Sequence, residues 1–163
     1  NKYESSAINT WLNGDFFNSL GSVEQAAIKQ VKIPYRKNGG SGGSDQSGAN
    51  GLLCKIFLLS GYEVGWTTSD DSDFPVDGAK LDYFTSGTTT SANNKRIAYL
   101  NGSAAFWWLR SPSTDNDGRV WFVRSDGDYG DYATSDSDGI RPALILPKTA
   151  LFDASTLILK GVA

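Results

Sequence analysis

Short apolar segments bounded by Gly- and Asp-bearing turns fill the C-terminal part of the chain from Ala104 onward. The predicted strands are Ala105–Arg110, Arg119–Arg124, Tyr129–Thr134 and Ile140–Leu146. Segments of this length with turn residues between them are typical of an antiparallel strand meander. Asp126-Gly127 favours a hairpin turn because both residues tolerate positive φ angles. This pattern restricts the last third of the chain to a sheet of sequential short strands.

The N-terminal third predicts short helices. Ser5 or Ser6 can cap a first helix, which Gly14 would end. Ser22 followed by Gln25 is a capping-box pattern at the start of a second helix. Early helices followed by late strands favour the α+β class.

Three further segments complete the domain plan. Residues 36–51 are rich in Gly and Ser and predict a flexible loop. Leu52–Leu59 is a continuous apolar run, which is typical of a strand buried on both faces. The 35 residues before the loop are too few to fold alone, so residues 1–163 are expected to form one domain. The tail, residues 147–163, has no clear role in this plan.

The residue inventory excludes several classes of function. The chain has no histidine and a single cysteine, Cys54, so Ser-His-Asp and Cys-His arrangements cannot be built. Cys54 lies in an apolar run and is expected to be a buried structural thiol. A net charge of −3 argues against nucleic-acid binding, and no apolar run is long enough to insert in a membrane. We therefore expect neither an enzyme nor a cofactor, and the metal ligands of most catalytic zinc sites are missing.

Four ordered motifs carry a resemblance to a known family. They are Trp11-Leu12-Asn13-x-x-Phe16, Phe57-Leu58-Leu59-Ser60-x-x-Glu63, Trp107-Trp108-Leu109-Arg110-Ser111-Pro112 and Gly139-Ile140-Arg141-Pro142-Ala143-Leu144. Over residues 3–146 the chain resembles a bacterial and phage family of unknown function whose core is C-type-lectin-like, or formylglycine-generating-enzyme-like. Members usually carry strands before the first motif, so part of the natural N-terminus is expected to be missing here.

That family is similar to the variable proteins of diversity-generating retroelements, which display a hypervariable patch on a C-type-lectin-like scaffold. The resemblance implies a patch between the last two motifs, at residues 113–138. Seven aspartates and two arginines give this segment a local charge of −5. Adenine-directed mutagenesis of asparagine codons cannot produce Lys, Glu, Gln or Met, and the segment contains none of them.

The composition of this segment resembles an antibody paratope, in which tyrosines supply rigid contact area among small polar residues. Tyr129 and Tyr132 are the expected hot spots. Trp121 cannot arise from such codons and is assigned to the scaffold with Val123, on the strand face opposite Phe122. The predicted ligand-binding residues are Ser113, Thr114, Asp115, Asn116, Asp117, Arg119, Phe122, Arg124, Asp128, Tyr129, Asp131, Tyr132, Thr134 and Asp136.

The framework motifs carry predictions of their own. Trp107 and Trp108 alternate faces on a strand, so one is expected in the core and the other at its edge. Arg110 and Arg141 are each expected to pair with a carboxylate or to cap backbone carbonyls. We interpret these motifs as scaffold.

Two alternatives to a hypervariable binding protein remain open. One is a lectin of fixed specificity, with or without calcium, because 115–118 and 136–139 are oxygen-rich turns. Neither completes an EF-hand loop, which needs a further bidentate Glu. The other is an enzyme of the formylglycine-generating type, which uses a pair of cysteines to hold copper, whereas this chain has one.

The expected partner is a protein or glycan ligand on a cell or phage-host surface. The expected carrier is a phage tail or a bacterial or archaeal cell surface, and self-association into a homo-oligomer is left open.

Overall fold

The computed structural model describes residues 1–162, which fold into a mixed α+β arrangement of short helices and small antiparallel sheets. The helices are α1 (Ala7–Trp11), α2 (Phe17–Ser19), α3 (Ser22–Ala27) and α4 (Thr90–Asn94), and a π-helical segment, Leu12–Phe16, joins the first two. The strands are β1 (Val31–Ile33), β2 (Tyr35–Lys37), β3 (Ser44–Gln46), β4 (Leu52–Cys54), β5 (Ile56–Leu58), β6 (Ala98–Leu100), β7 (Ser103–Ala105), β8 (Trp107–Pro112), β9 (Arg119–Val123), β10 (Tyr129–Ala133), β11 (Pro142–Leu144), β12 (Ala150–Phe152) and β13 (Leu159–Val162). Among the described residues, no helix has the length and apolarity needed to cross a membrane.

The predicted meander is confirmed for three strands. Antiparallel β8, β9 and β10 form one sheet in the order β10-β9-β8. The fourth predicted strand, Ile140–Leu146, was wrongly placed beside them. After a single parallel bridge between Trp107 and Gly139, the chain leaves this sheet, and β11 pairs with the distant β5.

The continuous strand predicted at Leu52–Leu59 is wrong, because the run is broken at Lys55. The carboxamide oxygen of Asn13 accepts hydrogen bonds from the backbone N–H groups of Lys55 (2.8 Å) and Ile56 (3.2 Å). Its Nδ2 donates to the carbonyl of Ile56 at 2.8 Å. One half of the run, β4, pairs with β1 and exposes Leu53, whereas β5 is buried throughout.

The N-terminal helices form where expected but with different ends. Ser6 caps α1 by accepting from Asn9 N at 3.1 Å. Gly14 does not end the helix, since helical structure continues through it to Ser19. The capping box at Ser22 is also wrong: Gly21 is the capping position, and Gln25 instead donates to the carbonyl of Leu20 at 2.7 Å.

Two segments for which no helix or strand was predicted carry secondary structure. Residues 36–51, predicted to be a flexible loop, contain the β2–β3 hairpin and a 3₁₀ turn at Gly48–Asn50. Residues 147–163 contain the β12–β13 hairpin. Short pairings of this kind lack the long apolar alternation that makes a strand visible in sequence.

The core is rich in aromatic residues and covers both faces of β9 in the β8–β10 sheet. Trp66, Trp107, Trp108, Trp121 and Phe122 are all at most 5% exposed. Both tryptophans of β8 are therefore core residues, and the expectation that one would pack at the edge is wrong. Burial raises the pKa of the Cys54 thiol to about 11, which agrees with a structural thiol.

Candidate ligand-binding surface

A buried ionic network fixes the end of β8 beneath the candidate surface. The two terminal nitrogens of Arg110 each donate to a carboxylate oxygen of Glu63 at 2.7 Å. The same guanidinium donates to the carbonyls of Leu58 (2.7 Å), Pro34 (2.8 Å) and Asp77 (2.9 Å). Arg110 is 1% exposed, so this network is a scaffold element, as predicted from the sequence.

Asp77 adds an ionisable group that no sequence pattern singles out. Its side chain is fully buried, Oδ2 accepts from Ser111 Oγ at 2.7 Å, and Oδ1 has no hydrogen-bond partner among the described residues. Burial raises the pKa of Asp77 to about 7; Arg110 and Ser111 lower it, and Glu63 raises it further. A carboxyl group without full pairing favours its neutral form.

Arg141, the other framework arginine, behaves as predicted. It donates to the carbonyl of Arg96 at 3.4 Å, and its guanidinium lies 4.9 Å from the ring centre of Trp107. The motif Gly139–Leu144 therefore holds the chain against the core.

The two predicted hot spots lie on opposite faces of the sheet. Tyr129 lies opposite Val123, and Tyr132 lies opposite Val120 in the same antiparallel pair. Directly opposed residues share a face, and successive residues alternate. A ligand that binds one face of the sheet therefore cannot contact both tyrosines. The expectation that both are hot spots of one surface is corrected accordingly.

Tyr129 belongs to the inner aromatic cluster. Its ring meets those of Trp66 and Phe74 edge-on at 5.4 Å and that of Trp121 at 5.6 Å. Its hydroxyl donates to the carbonyl of Asp70 at 2.9 Å. A tyrosine with its ring packed and its hydroxyl satisfied stabilises the fold more than it offers contact area.

Tyr132 is the exposed aromatic residue of β10. Its side chain is 45% exposed, and its ring stacks on Phe122 at 4.5 Å with an interplanar angle of 18°. Phe122 itself is 0% exposed, covered further by Phe106 and Trp108, so its assignment as a ligand-binding residue is wrong. Gly130 opposes Phe122 across the strands, where a Cβ would lie 2.6 Å from the Phe122 ring. Tyr132 is thus held flat on a rigid base.

A cleft of about 120 Å³ opens on the same face as Tyr132. Val120, the cross-strand partner of Tyr132, lines it together with Thr134 and Asp136 from the predicted segment. Ile8 and Trp108 contribute apolar wall. The cleft combines apolar lining with a few polar groups, which is the usual character of a ligand pocket.

The loop after β8 is tied into the scaffold. Ser113 is 1% exposed and donates to Asp115 Oδ1 at 2.6 Å. It is therefore buried, contrary to its prediction as a ligand-binding residue. Asp117 Oδ1 accepts from the backbone N–H (2.8 Å) and hydroxyl (3.0 Å) of Ser41, and these hydrogen bonds hold the pKa of Asp117 below its usual value. The carbonyl of Asn116 accepts from Asn1 Nδ2 at 2.8 Å. Residues 36–51 and the N-terminus therefore brace this loop.

The fourteen predicted residues differ in exposure. The exposed ones are Asp115, Asn116, Asp117, Arg119, Arg124, Tyr132, Thr134 and Asp136; the half-buried ones are Thr114, Asp128, Tyr129 and Asp131; the buried ones are Ser113 and Phe122. Arg119 and Asp131 form a cross-strand ion pair at 3.3 Å on the Tyr129 face. Asp128 Oδ1 accepts from Tyr129 N at 2.9 Å. The exposed residues thus divide between the Tyr129 face of the sheet, the Tyr132 face and the loop after β8.

A second acidic segment adjoins the predicted one. Burial raises the pKa of Tyr129, and the carboxylates of Asp71, Asp128 and Asp70 raise it further. The pKa of Asp73 is also raised by burial, with Asp115 and Asp71 contributing. The negative charge of 113–138 is therefore reinforced by the aspartates of 70–73. Within residues 1–162, no three His, Cys, Asp or Glu side chains are grouped so that they could hold a metal ion.

The chain is thus an α+β domain with a core rich in aromatic residues and an acidic loop after β8 that is held by hydrogen bonds. The exposed ring of Tyr132, stacked on Phe122, forms a platform beside the cleft. Residues 1–148 match the family described as Domain of unknown function (DUF6273), and the chain belongs to it. Comparison with curated proteins and with solved structures found no match. The β12–β13 hairpin lies beyond the matched range.

Proposed function

We propose that this chain is a ligand-binding module and not an enzyme, built on a C-type-lectin-like scaffold. Its binding face is the Tyr132 face of the β8–β10 sheet. The family resemblance of the framework motifs further supports a diversified binding protein of the retroelement type. Its partner is a protein or glycan on a cell or phage-host surface.

The platform at Tyr132 is the observation that carries this proposal. An exposed ring already stacked on buried Phe122 loses little conformational freedom when a ligand covers it. Thr134 and Asp136 line the adjoining cleft, where the Thr134 hydroxyl can donate or accept a hydrogen bond and the Asp136 carboxylate can accept one. Rigid aromatic area next to small polar groups is the composition of a binding surface.

Population sequencing of the coding region tests the diversified form of the proposal. Substitutions are expected at codons for exposed residues of 113–138, at adenines of a near-identical template copy. Codons for Trp121, Phe122 and Gly130 should stay constant, because these residues are buried in the sheet. An invariant segment without a template would remove the diversification and leave a module of fixed specificity.

Direct binding separates the module from the alternatives. The chain would be screened on a glycan array and against surface extracts of candidate host cells, with calcium and with chelator. For any ligand found, Tyr132→Ala should weaken binding at least tenfold, about 1.4 kcal/mol. Tyr99→Ala is the matched control, since Tyr99 is 70% exposed on β6, outside the proposed face. If Tyr132→Ala and Tyr99→Ala weakened binding equally, or if neither weakened it, the placement of the binding face at Tyr132 would be refuted.

The lectin of fixed specificity is the second candidate. An aromatic ring beside carboxylate and hydroxyl groups also suits the apolar face and the hydroxyls of a sugar. Binding that persists in chelator would exclude a calcium-dependent mode, and its loss in Tyr132→Ala would assign the recognition to Tyr132 and its neighbours.

A further inference from the structure

The β12–β13 hairpin is a two-stranded ribbon with an open edge. The strand β12 pairs only with β13, and β13 packs beside α3, where Val23 and Val162 line one shallow depression. The outer edge of β12 therefore has no partner strand among the described residues. Unpaired edges present backbone N–H and C=O groups to any second strand, and an isolated two-stranded ribbon is only marginally stable in water.

Large apolar side chains of the hairpin are left in solvent. Their exposed fractions are Leu151 52%, Phe152 49%, Leu157 75%, Ile158 55% and Val162 47%. Since a fully exposed side chain of this size presents about 150–200 Å², these fractions correspond to roughly 500 Å² of apolar surface on one short segment. An area of that size matches the largest apolar patch on a typical monomer, and such a patch often has a binding role.

The turn of the hairpin holds a leucine where a different residue would suit the backbone. Leu157 has φ +58, in the left-handed region that favours Gly and Asn. The turn itself is stabilised by Asp153, whose carboxylate accepts from the backbone N–H groups of Ser155 (3.0 Å) and Thr156 (2.9 Å). The backbone N–H of Leu157 donates to the carbonyl of Asp153 at 2.9 Å, but its side chain is 75% exposed, so a contact outside the chain would account for an apolar side chain at this position.

We propose that the hairpin is a self-association element that pairs two copies of the chain through the outer edges of β12. Two such surfaces would bury at most about 1,000 Å² in total, which is near the lower limit for a specific interface and predicts a weak dimer. The hairpin is electrically neutral, with Asp153 and Lys160 paired at 3.7 Å, so two copies do not repel each other. An isologous antiparallel pairing of identical edges closes on itself and does not propagate.

This inference does not depend on the ligand proposed above. Pairing would place two Tyr132 platforms on one particle, and two linked sites raise the avidity of weak contacts. The hairpin lies outside the range shared with the family, so dimerisation would be a property of this extension.

Sedimentation velocity of the full chain over a dilution series tests the proposal. The wild type should dimerise with a dissociation constant on the order of 10 μM. Leu157→Asn should weaken association at least tenfold while leaving the monomer equally or more resistant to unfolding, because asparagine suits a positive φ. Leu151→Lys should abolish association, since a charge on the open edge opposes strand pairing.

Leu100→Asn is the matched control, because Leu100 is 61% exposed on a different hairpin. It should leave the dimer intact. A wild type that stays monomeric up to about ten times that concentration would overturn the proposal. Association that survives both hairpin variants, or that Leu100→Asn abolishes, would also overturn it.

Discussion

Replacing Asp77 with asparagine tests the ionic core of the scaffold through its pH dependence. Asp77 is buried with one oxygen unpartnered, and its pKa in the folded protein is raised from 3.8 to about 7. The folded state therefore binds a proton that the unfolded state releases between these two values. The contribution of Asp77 to stability is greatest below pH 3.8 and is lost as the pH rises toward 7.

The size of the effect follows from the pKa difference. One pKa unit corresponds to 1.36 kcal/mol, so ionising Asp77 in the folded state costs about 4 kcal/mol above neutral pH. Integrated between pH 5 and pH 8, the wild type should lose about 2–3 kcal/mol that the asparagine variant keeps. An unpaired amide donor in the variant costs about 1–3 kcal/mol at every pH, so the pH dependence of the difference is the quantity to measure.

Urea unfolding followed by the fluorescence of the buried tryptophans gives that difference at each pH. Asp15→Asn provides the control, because Asp15 is exposed and its removal should leave the wild-type pH profile nearly unchanged. If the stability difference between Asp77→Asn and the wild type were constant from about pH 5 to about pH 8, the reasoning would be refuted. Arg110 would then hold Asp77 ionised despite its burial.

Two further substitutions test the scaffold by chemical denaturation. Arg110→Met should lower the free energy of unfolding by about 3–5 kcal/mol, because it leaves the Glu63 carboxylate buried without its partner. Adding Glu63→Gln should recover part of this loss. An Arg110→Met variant as stable as the wild type would contradict the network. Gly127→Ala should cost about 1–3 kcal/mol, because Gly127 has φ +82 and a Cβ there would overlap the backbone carbonyl of Asn93. The control is Gly118→Ala, exposed and without close backbone contact, and equal losses at both glycines would count against a fixed 124–128 turn.

Local signals made the three-stranded sheet predictable. The Asp126-Gly127 turn and the β-rich runs on both sides specify a hairpin within a dozen residues; Gly127 adopts the positive φ that such turns use, whereas Asp126 does not. Ser6 was likewise one of the two serines expected to cap the first helix, from their position before an apolar face. Such features depend on neighbours in sequence.

Long-range features could not be predicted in the same way. The break at Lys55 depends on Asn13, more than forty residues earlier, and β11 pairs with β5 across about eighty residues. Each depends on backbone groups meeting in space, and no local pattern encodes that meeting. The burial of Phe122 has the same origin, because both faces of β9 are covered by other parts of the chain.

The division between the two tyrosines limits which positions could be diversified. Tyr129 packs on three rings, so its loss would cost about 3–5 kcal/mol, a large share of the 5–15 kcal/mol that holds a typical domain together. Tyr132 is half exposed on the other face, and exchanging it costs far less. Because side chains alternate along a strand, a mutagenic process acting on every codon of 113–138 would unfold many of its products. A diversified surface on this scaffold must therefore vary at Tyr132, Thr134 and Asp136 while the codons for Trp121, Tyr129 and their neighbours on the inner face are protected.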